Sequence, residues 1–272
     1  MAWKLFEGDC LEIMPLEIED KSIDMILCDL PYGTTACKWD TPLPLDELWV
    51  EYKRVIKDNG AIVLFGSEPF SSHLRLSNIK NYKYDWKWDK TTPGNPLIAK
   101  YRPHGIFEDV MVFGKGKVNY YPIMEAAKKE NIRPLNTTKI KKSDLMNGIK
   151  SGLFQTHPDY DPTKRYPNNK LVFSNRSLEC NHLNRVHPTQ KPVALFEYLI
   201  KTYTNEGNLV LDNCAGSGTT GVACENTNRN SILMEKEPEY CQIIHDRMKQ
   251  AQELKLEARK QQTLNSFNGQ QT

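Results

Sequence analysis

The sequence predicts an α/β fold: a doubly wound, mostly parallel sheet with a region inserted in its middle. Three observations predict it. Short apolar runs that read as buried strands alternate with helical stripes, both before residue 114 and after residue 186. Between those halves, residues 115–185 lose periodicity and are rich in Lys, Asn, Pro and Tyr. Two segments, Asp29-Leu30-Pro31-Tyr32 and Asp212-Asn213-Cys214-Ala215-Gly216-Ser217-Gly218, each follow an apolar run. In such sheets ligands sit beyond the carboxyl ends of the strands.

Trp3 to Phe6 is a short apolar stretch closed by Gly8-Asp9, and Cys10 to Met14 opens a helix. Ile23 to Cys28 is mostly apolar and stops at the Pro31 turn, as a buried strand does. Leu45 to Ile56 carries apolar residues at 45, 48, 49, 52, 55 and 56, a helical stripe ended by Asn59-Gly60. Ala61 to Phe65 follows as a strand and Glu68 to Leu76 as a short helix. Tyr82 to Trp88 alternates aromatic and polar residues, and Phe107 to Phe113 is a further strand. The loop Thr91 to Pro96 between them is irregular. After the insert come a helix over Val193 to Tyr203, a strand over Leu209 to Leu211 and a helix from Thr219 to Glu225. A strand over Ser231 to Met234 and a long helix from Pro238 to Arg259 complete the series. The Gln- and Asn-rich residues 260–272 are expected to fray. The expected organisation is a core built from 1–114 and 186–259, an insert at 115–185, and a tail.

A chain of 272 residues, 39% hydrophobic, buries a real core, so disorder of the whole chain is excluded. There is room for one large domain with an insertion or for two small ones. No run of about 18 apolar residues and no charged-then-apolar leader occurs. The seven cysteines are scattered and form no C-x-x-C pair, which predicts neither a disulfide frame nor a metal site. A soluble, reduced, cytoplasmic protein is expected. The net charge of +2 hides an asymmetry. Residues 1–114 hold 13 Lys/Arg against 18 Asp/Glu, residues 115–192 hold 15 against 6, and residues 193–272 hold 8 against 10. A basic middle on an acidic body suits a polyanion-binding insert; a solvated Lys-rich loop has the same composition.

Gly216-Ser217-Gly218 lies between a strand and a helix, where glycine removes the Cβ that blocks close approach of a nucleotide-like ligand. A phosphate-binding P-loop needs a Lys before the Ser/Thr, and none is present, so a cofactor without phosphates fits better. Glu235 ends the next strand about 20 residues on, where an acid binds ribose hydroxyls. It equally suits a helix N-terminus, stabilised by the dipole.

Taken together these segments resemble the permuted, beta-class DNA amino-methyltransferases. Asp212 to Thr220 is similar to their S-adenosylmethionine motif D-P-F-A-G-S-G-T-T, and Asp29 to Tyr32 to their catalytic D-P-P-Y. His187-Pro188-Thr189-Gln190-Lys191-Pro192 matches their H-P-T-Q-K-P box unchanged, and Gly8-Asp9-Cys10-Leu11 their short N-terminal G-D segment. The resemblance implies the S-adenosylmethionine-dependent methyltransferase fold, with 1–114 as the catalytic half and 186–259 as the cofactor-binding half. It implies methyl transfer to adenine N6, or alternatively cytosine N4, in a flipped-out base of double-stranded DNA.

An aromatic amine is a poor nucleophile, so holding its nitrogen desolvated and in line with the methyl does most of the catalysis. The resemblance makes Asp29, Pro31 and Tyr32 catalytic: Asp29 and the Pro31 backbone carbonyl region hold the amino hydrogens, and Tyr32 stacks on the base. Cofactor contacts fall to Asp9, Thr189, Lys191, Asp212, Cys214, Gly216, Gly218 and Glu235. Asp9 reaches the cofactor's adenine edge or caps the following helix. Trp86, Trp88 and Tyr101 are stacking candidates, although aromatic strand residues more often belong to a core. His104 and His182 have no metal-like partners.

Two positions depart from the family pattern. Leu30 replaces a proline, with activity expected to survive, and Cys214 replaces a phenylalanine, which weakens cofactor packing. Asp rather than Ser at position 29 favours adenine by family tendency. Cytosine C5 chemistry is disfavoured, because none of the 16 prolines precedes a Cys. The insert becomes the target-recognition region, with Lys128, Lys129, Lys139, Lys141 and Lys142 on phosphates. A cognate restriction nuclease and a second copy of the chain are further candidate partners. The rival from another class is a DNA-binding module that keeps the fold without the catalysis.

Overall fold

The computed structural model describes residues 3–33, 40–93, 99–127, 161, 163–176, 186–187 and 189–268. Its main unit comprises Met1–Tyr121 and Asn169–Thr272; Pro122–Asn168 forms a second. In chain order the main unit holds β1 (Trp3–Glu7), α1 (Cys10–Glu17), β2 (Ile23–Cys28), α2 (Leu45–Val55), β3 (Ile56–Gly66), α3 (Phe70–Ser77), β4 (Tyr82–Asp89) and β5 (Phe107–Phe113). The second unit contains the short antiparallel pair β6 (Glu125–Ala126) and β7 (Lys164–Arg165). The main unit resumes with β8 (Lys170–Val172), α4 (Val193–Tyr203), β9 (Leu209–Asp212), α5 (Thr219–Asn226), β10 (Asn230–Glu235) and α6 (Pro238–Asn268).

Eight strands form one sheet in the order β1-β10-β9-β2-β3-β5-β4-β8. The first five run parallel; β5 is antiparallel to β3 and β4, and β8 lies parallel to β4. The strand alternation decides which helices cover which face. Ile26, Cys28, Ile62, Leu64, Met111 and Phe113 point to the face covered by α1, α2 and α3. Met25, Leu27, Ala61, Val63, Phe65, Val110 and Val112 point to the other, against α4 and α5. Both faces are buried, which is why the strands read as apolar runs rather than as a half-polar alternation. Removing one such side chain, as in Leu64→Ala, is expected to cost about 2–5 kcal/mol.

Three boundaries differ from expectation, each for a physical reason. β3 begins at Ile56, not Ala61. Asn59-Gly60 is not a turn: the register shifts there, and a Cβ on Gly60 would sit 2.8 Å from the Asp24 carbonyl oxygen. That glycine lets two strands approach. Helix α6 runs on to Asn268, past the tail expected from 260, because Lys260, Gln261, Gln262 and Leu264 favour helix and no Gly or Pro occurs before Gly269. The separate unit is also shorter than the insert expected at 115–185. Asn119 N–H donates to the Asn59 carbonyl at 2.8 Å, Tyr121 N–H to that of Thr202 at 2.7 Å, and β8 extends the sheet. Lys128, Lys129, Lys139, Lys141, Lys142 and His182 lie outside the described residues.

Candidate active site

At the carboxyl ends of β2 and β9 the chain lines a cavity of about 430 Å³. One end is built around Asp29. Its Oδ1 accepts the Tyr32 hydroxyl at 2.8 Å, and its Oδ2 accepts the Lys191 ammonium at 2.5 Å. Tyr32 stacks on Phe70, with ring centroids 4.9 Å apart and planes 23° apart. Lys191 also lies 3.7 Å from Glu108 Oε2, while Lys90 holds Glu108 Oε1 at 3.0 Å. The rings of Phe65, Trp88 and Tyr32 surround the ammonium at 5.5–6.0 Å.

Burial pushes the Asp29 carboxyl above the ordinary range against the opposing pull of Lys191, and Glu108 adds to the rise. Burial drives the Lys191 ammonium down, but Asp29 and Glu108 outweigh it and keep the lysine charged. The buried Tyr32 phenol is pushed well up, so it stays a donor.

The other end is the β9–α5 turn. Gly216 and Gly218 have φ of +52° and +76°, a left-handed geometry that glycine adopts without strain. Gly216 N–H donates to Glu235 Oε2 at 2.7 Å, and Lys236 and Glu237 N–H groups donate to its Oε1 at 3.0 Å. Burial still raises the Glu235 carboxyl, against those three bonds. Asp212 accepts the Thr220 hydroxyl and the Cys214 N–H and so pins the turn; burial raises its carboxyl to about 6. Asn213 accepts the Tyr52 hydroxyl at 2.5 Å, tying the turn to α2.

His187 packs on Tyr240, and a Cβ on Gly216 would come 3.5 Å from its ring. Its Nδ1 accepts the Thr189 N–H at 3.3 Å, so this nitrogen carries no proton. Burial, aided by the Lys191 charge, lowers His187 to about 4 and keeps the ring neutral.

Of the residues singled out in the sequence, Asp9, Asp29, Pro31, Tyr32, Thr189, Lys191, Asp212, Cys214, Gly216 and Glu235 all line this cavity. Asp9 also caps α1, accepting the Leu11 N–H at 2.8 Å. Gly218 is the exception. It opens α5 and packs on Ile244, which a Cβ would approach to 3.0 Å. Lys191, expected among the cofactor contacts, is placed on Asp29 instead. Leu30 is 3% exposed and belongs to the apolar core, which accounts for an aliphatic residue where the family has proline.

Trp86 and Trp88 are core residues, although Trp88 also lines the cavity, and Tyr101 is exposed. Glu108, Lys90 and Tyr240 went unrecognised in the sequence. The signal for Glu108 was a pair of acids opening an otherwise apolar strand. No group of three potential metal ligands is gathered among the described residues, and no helix there is long and apolar enough to cross a membrane.

Comparison with known proteins decides the family. Residues 23–246, most of the chain, match the N6/N4 family model described as DNA methylase. The chain belongs to the DNA methylase family. This DNA methylase is 28% identical over 243 residues to the type II methyltransferase M.HpaI of Haemophilus parainfluenzae, covering 85% of this chain and 69% of that protein. It is 26% identical over 252 residues to M.BglII of Bacillus subtilis, covering 89% and 68%. Among solved structures, the M1.HpyAVI–SAM complex superposes with a TM-score of 0.61 at 25% identity, covering 91% and 99%. The cytosine-N4-specific PvuII DNA methyltransferase superposes at 0.60 with 20% identity, covering 91% and 86%, a likeness of fold.

Proposed function

We propose that this DNA methylase transfers a methyl group from S-adenosylmethionine to adenine N6 of a base extruded from duplex DNA. One observation carries this: a single cavity joins the Asp29–Tyr32 carboxylate to the Gly216–Glu235 turn. The residues present fit the cofactor. The left-handed Gly216 leaves the cavity wall without a Cβ, and Glu235 Oε2 accepts only one backbone hydrogen, keeping a lone pair for a ribose hydroxyl. Asp9, Cys214 and Tyr240 complete the wall around them. When bound, the cofactor supplies an electrophilic methyl group on a sulfonium sulfur.

Everything else falls to the chain. Asp29 accepts one hydrogen of the target amine and the Pro31 backbone carbonyl region accepts the other, which aims the nitrogen lone pair. Tyr32, braced by Phe70, offers a face to the extruded base. The rings of Trp88 and Phe65 flank the Lys191 ammonium and limit the water that reaches the amine. Aspartate at position 29 supports adenine over cytosine, and the basic stretch around Pro122–Asn168 serves as the target-recognition region. Residues 1–114 and 186–259 supply its catalytic and cofactor-binding halves. The site of action is cytoplasmic DNA, where the five described cysteines stay as free thiols. Digestion of DNA methylated in vitro to single nucleosides, with identification of the methylated base, tests the assignment. N6-methyladenine is expected; N4-methylcytosine would overturn the choice of base.

A further inference from the structure

Both oxygens of Asp29 already accept a hydrogen bond, from Tyr32 at 2.8 Å and from Lys191 at 2.5 Å. Methyl transfer as proposed above needs this carboxylate to accept an amino N–H, and an ammonium bonded there competes for the same oxygen. A neighbouring oxygen has the opposite problem. Glu108 Oε2 is buried and without a hydrogen-bond partner among the described residues, and Glu108 lines the same cavity. Buried unpaired carboxylate oxygens are rare, and each calls for an explanation. Lys90 anchors the other oxygen of Glu108 at 3.0 Å, which keeps the carboxylate in place. The Lys191 ammonium stands 3.7 Å from Oε2, about 1 Å beyond hydrogen-bond length.

We propose that Lys191 is handed from Asp29 to Glu108 when the target base enters, freeing Asp29 Oδ2 to accept the amino hydrogen. Glu108 is then a positioning residue of the reaction, acting through Lys191. The inference rests on the methyl-transfer reading above. The move exchanges one ion pair for another: Lys191 stays paired, and Asp29 keeps the Tyr32 hydroxyl at 2.8 Å and accepts the incoming amine N–H in place of the ammonium. The rings of Phe65, Trp88 and Tyr32 flank the ammonium and favour a cation throughout. No proton changes owner: Lys191 stays an ammonium and Glu108 a carboxylate. The device explains three things at once: the buried oxygen without a hydrogen bond, the lysine shared unequally between two carboxylates, and the second lysine that fixes Glu108.

The test is the single-turnover methylation rate against pH for the full chain and its variants on duplex DNA. The charged and titratable groups facing Asp29 are Tyr32, Lys191, Glu108, Cys28 and Asp212. Of these, Glu108 raises Asp29 and Lys191 lowers it. Glu108→Gln is expected to slow transfer about 10- to 100-fold and to move the acid limb to lower pH. Lys191→Met is expected to move that limb to higher pH. Unchanged S-adenosylmethionine affinity in Glu108→Gln reports an intact fold. Glu108→Asp keeps the charge and is expected to recover part of the rate; it carries the test if the glutamine variant does not fold.

A rate within about twofold of wild type in Glu108→Gln overturns the hand-over. So does a slowed rate with an unmoved acid limb, which is what a purely structural role produces. If the wild-type chain methylates no DNA, the methyl-transfer reading fails first and the hand-over with it; if it does, only the variants decide.

Discussion

Lys191 places its ammonium 2.5 Å from the Asp29 carboxylate, joining two segments 162 residues apart in the chain. Asp29 directly follows β2, and Lys191 lies just before α4, so the fold brings the Asp29–Tyr32 segment and Lys191 to one point. The ion pair is buried among aromatic rings, where breaking it by removing one partner leaves an uncompensated charge.

Asp29→Ala is expected to reduce methyl transfer by about 100-fold or more while leaving cofactor affinity within a few-fold of wild type. Radiolabelled methyl incorporation and calorimetry read the two separately. The role proposed for Asp29 requires the ionised carboxylate. Burial raises the pKa of this group, so activity is expected to fall with decreasing pH at a higher pH than an ordinary aspartate would give. A rate flat from pH 7 down to about pH 4 would contradict this assignment.

Glu235→Ala is expected to weaken S-adenosylmethionine binding by about 10- to 100-fold, because it removes a charged acceptor for the ligand and for the Gly216 N–H at 2.7 Å. Glu235→Gln keeps one acceptor oxygen and should lose less. Equal affinities for both variants and the wild type would remove Glu235 from the cofactor site.

His187 gives the fold a predictable acid sensitivity. Its pKa in the folded state is depressed from 6.5 to about 4, so the stability it supports is present above pH 6.5 and is lost as pH falls toward 4. The loss at pH 4.5 is expected to be roughly 2–3 kcal/mol. His187→Asn should flatten this part of the profile, so wild type and variant should converge in melting temperature on acidification. A constant difference between them from pH 7 to 4.5 would contradict it.

The recognition region is expected to bind DNA mainly through phosphates. The dissociation constant should therefore rise steeply with salt, and replacing Lys128, Lys129, Lys139, Lys141 and Lys142 by Gln should flatten the slope of log Kd against log salt. A slope unaltered in that variant would place the phosphate contacts elsewhere.

Much of this architecture was legible in the sequence, for reasons that individual elements make plain. β2 and α4 were predicted with their observed ends because one is a buried apolar run and the other an unbroken helical stripe that starts after Pro192. β3 was shortened in prediction because Asn59-Gly60 carries turn chemistry, whereas Gly60 serves a close approach to β2 that no local pattern encodes. The glycine turn and Asp29 were visible as motifs at strand ends. The partnership of Lys191 with Asp29 and Glu108 was not, because it depends on where β2, β5 and the approach to α4 meet. Gly218 was singled out with the same turn, but its left-handed backbone opens α5 and packs on Ile244, away from the residues that line the cavity.

The most direct test of the central claim is methyl incorporation from labelled S-adenosylmethionine into duplex DNA, compared between the wild-type chain and Asp29→Ala. Incorporation as N6-methyladenine that disappears in the variant, with cofactor binding retained in both, is the predicted result. Cofactor-binding wild-type protein that labels no DNA across a broad set of duplex sequences would contradict it.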